Sequence, residues 1–111
     1  STFFDYPKDD PAVQTFVDAY KAKYEGANPD WFVANSYDVI MLAAAAAEKA
    51  GSNDRTAIND ALAEIGTYEG ISGPITFDEN GDVIKPLSIV IVQDGSLVTA
   101  PTATRAMPRT L

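Results

Sequence analysis

The chain of 111 residues contains no cysteine and no histidine. Without cysteine there is no disulfide framework, no thiol nucleophile and no thiolate metal site, and redox chemistry says nothing about the compartment. Without histidine, the usual near-neutral general base and the commonest metal ligand are both missing. Bases are also scarce. Eight Lys and Arg against sixteen Asp and Glu leave a formal charge of −8, which repels phosphate backbones and anionic lipid, so nucleic acid is not an expected partner. The longest apolar stretch, Val39 to Ala47, is mostly alanine and falls well short of the roughly 20 residues that cross a bilayer, so membrane insertion is not expected either.

What remains is 46% hydrophobic and 22% charged, enough for one globular unit with a modest core. The opening Ser1-Thr2-Phe3-Phe4-Asp5-Tyr6-Pro7 has no basic region or long apolar stretch, so it reads as the inside of a longer chain rather than a leader. Asp9-Asp10-Pro11 is a helix start, with an acid at the cap and proline where its missing N–H does no harm. Val13, Phe16, Val17, Tyr20 and Tyr24 then make one apolar helical face, and Gly26 with Asn28-Pro29 ends it. A second helix is expected from Asn35 or Ser36 to Ala50, stopped by Gly51. Its apolar and small residues on nearly every side predict burial on several sides. Ser52-Asn53-Asp54 caps a third helix carrying Ile58, Ala61, Leu62 and Ile65, which ends at Gly66.

Beyond Gly66 the period changes. Ile75-Thr76-Phe77 reads as a short strand, Asp78-Glu79-Asn80-Gly81-Asp82 as a hairpin turn, and Leu87 to Val92 as a strand apolar on both faces and therefore central in a sheet. Asp94-Gly95 turns that strand into Leu97-Val98. The expected class is α/β, with helices at about 10–25, 35–50 and 54–65 and antiparallel strands at about 75–78, 86–93 and 96–99. Residues 99–111 form an irregular tail after a unit spanning 1–98.

No constellation points to catalysis, and no cofactor is implied. Asp78, Asn80 and Asp82 have the spacing of a calcium loop, but Val83 stands where such a loop needs glycine and no glutamate follows at the twelfth position, so the turn reading wins. Ser36 has no histidine to activate it and reads as a helix cap. Gly70-Ile71-Ser72-Gly73-Pro74 lacks the lysine of a phosphate-cradling loop. The adjacent Trp31 and Phe32 cannot both point into one core; on the residues alone, one is core and the other a loop cover.

Three pieces in order, Tyr20-Lys21-Ala22-Lys23-Tyr24, Pro29-Asp30-Trp31-Phe32-Val33-Ala34-Asn35-Ser36-Tyr37-Asp38-Val39 and Gly73-Pro74-Ile75-Thr76-Phe77-Asp78-Glu79-Asn80-Gly81-Asp82, resemble the trailing part of periplasmic leucine/isoleucine/valine-binding proteins. The resemblance runs over roughly residues 3 to 98. It implies a piece of a type I periplasmic binding fold: two α/β lobes joined by three crossings, closing on a solute and delivering it to an ABC permease. Residues up to about Phe77 would then complete one lobe, and Leu87 to Val92 would lie near the last crossing. The resemblance also implies a non-enzyme from the periplasm, or a lipid-anchored extracellular protein, made with a leader that is removed. Phe32 would face the cleft with Trp31 behind it, while Asn35 and Ser36 would reach a polar end of the ligand. The remaining partners would be the rest of a parent chain or a second copy. A sensory module of the same fold is the alternative; a hydrolase is disfavoured by the lack of histidine and cysteine.

Overall fold

A computed structural model describes residues 9–86 and 89–100. Three helices lead the chain: α1 (Pro11–Lys23), α2 (Trp31–Ala50) and α3 (Arg55–Ile65). Each is started by an aspartate whose carboxylate accepts otherwise unpaired amides of the first turn. Asp10 takes Ala12 N–H at 3.0 Å, Asp30 takes Val33 N–H at 2.9 Å, and Asp54 takes Ala57 N–H at 3.0 Å. Such a cap stabilises a helix by about 1 kcal/mol. Gly51 closes α2 in the left-handed conformation.

The cap at Asp30 corrects the expected start of α2. The helix begins at Trp31, four residues before Asn35, so Trp31 and Phe32 stand on its first turn rather than in a preceding loop. Ser36 is inside the helix and is not its cap. On α2, Ala34, Asp38, Leu42 and Ala46 form one buried line, while Val39 and Ile40 are 63% and 68% exposed, so its apolar sides exceed what the described residues cover.

Three strands follow as an antiparallel sheet in chain order, β1 (Thr67–Gly70), β2 (Gly73–Phe77) and β3 (Val83–Ile84). β1 carries little strand signal in the sequence and was not expected. Pairing with β2, including a hydroxyl contact of 2.8 Å between Thr67 and Thr76, is what holds it. The β2–β3 turn is clasped by Asp78: its carboxylate accepts the Asn80 and Asp82 amides, both at 2.9 Å, and its own N–H donates to Asp82 O at 2.8 Å. That clasp accounts for the alternating oxygens without a cation.

β4 (Val90–Gln93) and β5 (Ser96–Thr99) form a separate two-stranded hairpin. Asp94 and Gly95 have φ of 51° and 79°, the positive pair that a two-residue turn needs to match strand twist. The strand expected over 86–93 is thus described from Val90, with residues 87 and 88 outside the described residues. Among the described residues it has one hydrogen-bonded neighbour, β5, and Val92 is 74% exposed. Of the irregular tail expected over 99–111, Thr99 instead ends β5, and residues from 101 onward lie outside the described residues.

The core is small. Val13 and Val17 of α1 pack with Ala34 of α2, with Phe16 and Ile71 against them. Leu42, Ala61 and Ile75 add buried points on α2, α3 and β2. The radius of gyration, 16.9 Å, exceeds the roughly 13 Å of a compact domain of this length. Among the described residues, apolar side chains on α2 and β4 such as Val39, Ile40 and Val92 remain exposed.

Candidate functional site

The first turns of α2 hold all four residues singled out from the sequence. Trp31 and Phe32 stand edge to face, with ring centroids 5.1 Å apart and planes at 74°, a favourable aromatic geometry. Both are exposed, Phe32 the more so at 59% against 45% for Trp31. Asn35, one turn on, donates from Nδ2 to Trp31 O at 2.8 Å, and Ser36 is exposed one turn after Phe32.

Behind this face lies a polar cluster that the sequence reading missed. Asp38, 1% exposed, accepts Ile71 N–H and Ser72 N–H, each at 2.9 Å, and the Ser72 hydroxyl. Ile71 and Ser72 are the two-residue turn between β1 and β2, so one carboxylate fastens that turn to the helix. Ser72 Oγ in turn accepts from Lys85 Nζ at 2.6 Å, and the same ammonium donates to Asn35 Oδ1 at 3.1 Å. Among the described residues, no buried side-chain nitrogen or oxygen lacks a partner. The signal for this cluster was in the sequence: Asp38 is the sole charge between Asp30 and Glu48 on a helix otherwise apolar or small, and a buried charge there must find donors.

Burial shifts two groups beside Asp38. Loss of solvent pushes the Lys85 ammonium below its ordinary value of 10.5, against the opposing pull of Asp38. Tyr68 is pushed above its ordinary 10.0, first by burial and then by the negative charge of Asp38. Next to the cluster opens an apolar groove of about 340 Å³. Leu42 of α2, Leu62 of α3, and Ile75 and Phe77 of β2 are among its walls, with Asn35 and Lys85 as its polar members. The arrangement sets an exposed aromatic pair beside an apolar groove and a carboxylate already saturated by its own neighbours.

Relatives carry the same architecture. A leucine-binding protein of Thermotoga maritima superposes with a TM-score of 0.74 at 37% identity, over 88% of this chain and 28% of that one. The branched-chain amino acid transporter substrate-binding protein of Streptococcus pneumoniae, solved in complex with isoleucine, gives 0.71 at 30% identity over 90% of this chain and 29% of that one. In sequence, a Leu/Ile/Val-binding protein homologue of Brucella abortus is 34% identical over 86 residues, 78% of this chain and 23% of the relative. The chain thus spans about a quarter of the length of these relatives. With the periplasmic binding protein model matching residues 1–96, the chain belongs to the periplasmic binding protein family and is an α/β piece of its type I fold.

Proposed function

We propose that this chain supplies part of one cleft wall of a two-lobe receptor that captures a small solute and hands it to an ABC permease. The solute is a branched-chain or other hydrophobic or aromatic amino acid, or a related small carboxylate. The observation that carries the reading is the exposed Trp31–Phe32 pair on the first turn of α2. Its support is the likeness to proteins named for leucine, isoleucine and valine.

Phe32 forms the apolar wall against the solute side chain, where burial contributes about 25 cal/mol per Å², and Trp31 buttresses it edge-on. Ser36 and the second N–H of Asn35 are the polar groups of this wall. The ends of the solute that carry charge are held by parts of the receptor outside this chain. Acting as a binding wall, the chain catalyses nothing, and it works in the periplasm or at a lipid-anchored extracellular position. The groove beside Leu42 and the bare face of α2 are covered by the rest of the receptor or by a second copy.

Native mass spectrometry of the two-lobe receptor carrying this chain, followed by identification of the co-purified small molecule, tests the reading. A branched-chain or aromatic amino acid is the expected result; a nucleotide or sugar would overturn the solute class.

A further inference from the structure

We propose that Lys85 is a positioning residue for the solute wall: with Asn35, Ser72 and Asp38 it closes a hydrogen-bonded ring that fixes the first turns of α2, and the aromatic pair on them, against the β1–β2 turn. The proposal rests on the reading of Trp31 and Phe32 as part of the cleft wall.

The ring is continuous. Lys85 Nζ, just past β3, donates to Ser72 Oγ at 2.6 Å; the Ser72 hydroxyl donates to Asp38; and Asp38 stands on α2 three residues beyond Asn35, whose Oδ1 takes the same ammonium at 3.1 Å. Asn35 and Asp38 share one side of the helix, so the ring clamps a single turn of α2 from two points.

The amide of Asn35 is oriented by this contact. Its oxygen faces the Lys85 ammonium and its nitrogen faces Trp31 O at 2.8 Å. Turned over, it would set N–H groups against a cation and an oxygen against a carbonyl, losing both bonds. Lys85 therefore decides which end of Asn35 points along the helix, and holds the carbonyl of Trp31 through it. An ammonium among the walls of an apolar groove also costs solvation, as the downward shift of Lys85 records. A methionine would fill the same space without that cost, so the hydrogen bonds to Ser72 and Asn35 are what the charge contributes.

The test is leucine binding to the two-lobe receptor carrying this chain, measured with thermal midpoints for Lys85→Met, Asn35→Ala, their combination, and Phe32→Ala. Lys85→Met and Asn35→Ala are each expected to weaken leucine binding about tenfold, the scale of one hydrogen bond to a charged group, and the double variant to be no weaker than either single. Lys85→Gln, which keeps an N–H donor without the half-buried charge, should fall between the wild type and Lys85→Met.

A purely structural lysine would lower the thermal midpoint and leave affinity alone. Unchanged leucine affinity in Lys85→Met, or in Lys85→Gln and Asn35→Ala should Lys85→Met not fold, overturns the proposal; so do strictly additive effects. If Phe32→Ala weakens binding while the Lys85 variants do not, the ring fails and the wall stands. If the Lys85 and Asn35 variants act non-additively while Phe32→Ala is silent, the assignment of Phe32 fails and the ring stands.

Discussion

Gly70 lies so close to Asp38 that a Cβ built on it would stand 2.6 Å from the carboxyl carbon. The glycine is required by approach, because any side chain there would displace the carboxylate from the amides of Ile71 and Ser72. Gly70→Ala is expected to cost about 1–3 kcal/mol, the range for overpacking a filled site. Asp38→Ala should cost about 1–3 kcal/mol in all, since the two amides it leaves unpaired are only partly buried. The double variant should cost less than the sum, since removing the carboxylate makes room for the methyl. Urea unfolding, with exchange rates of the Ile71 and Ser72 amides, measures all three.

Phe32→Ala in the two-lobe receptor is expected to weaken leucine binding by about 1–3 kcal/mol, the scale of a lost buried aromatic contact. Calorimetric titration decides it, and an unchanged affinity would remove Phe32 from the wall.

Stability should change in two opposed ways at alkaline pH. Lys85, lowered in the folded state, favours the fold in its neutral form. Its contribution is complete above 10.5 and is lost as pH falls through the lowered value. Tyr68, raised in the folded state, favours the fold while protonated. Its contribution is complete below 10.0 and is lost as pH rises through the raised value. Comparing midpoints against pH for wild type, Lys85→Met and Tyr68→Phe should flatten the first slope in one variant and the second slope in the other. A slope that survives both substitutions belongs to other groups.

The turn at Asp94 and Gly95 requires positive φ at both residues. Replacing Gly95 with valine should loosen β4 from β5 by about 1 kcal/mol or more, because a branched side chain resists that backbone region. Cross-strand amide contacts between Val90 and Thr99 and between Val92 and Leu97 would weaken first.

Separated from the rest of a receptor, the 111 residues should associate. Among the described residues, Val39, Ile40 and Val92 present exposed apolar surface, and β4 pairs on one edge only, with β5. Sedimentation is expected to give a dimer or a complex with the remainder of a nicked parent. A stable monomer that binds leucine at micromolar strength would contradict both this and the need for a second wall.

Local signals carried far along this chain. The caps at Asp10 and Asp54, the stop at Gly51 and the turns at Asp78–Asp82 and Asp94–Gly95 were legible because each depends on residues within a few positions of one another. Asp30 is the same kind of cap but was hidden by Pro29 before it and by the polar Asn35-Ser36 pair after it, which mimic a later start. β1 was not legible, since Thr67-Tyr68-Glu69-Gly70 becomes a strand only by pairing with β2. Trp31 and Phe32, adjacent in sequence, could be read as a pair, though both rings are exposed on the helix and neither is core, whereas Asp38, Ser72 and Lys85 meet across separations of 34 and 13 residues that no periodicity reveals. The apolar faces of α2 say that partners exist, not that the partners are in the same stretch of chain, and Val39 and Ile40 are indeed exposed among the described residues.

The clasp at Asp78 offers an observation post. Closure of that turn runs through Asp78, Asn80, Gly81 and Asp82, while Glu79 is exposed between them. Because the chain has no cysteine, Glu79→Cys would give it a single thiol, on a loop whose shape is held by its neighbours. A dye or nitroxide attached there, paired with one on the opposite lobe, would turn the arrival of a solute into a distance that can be followed in real time.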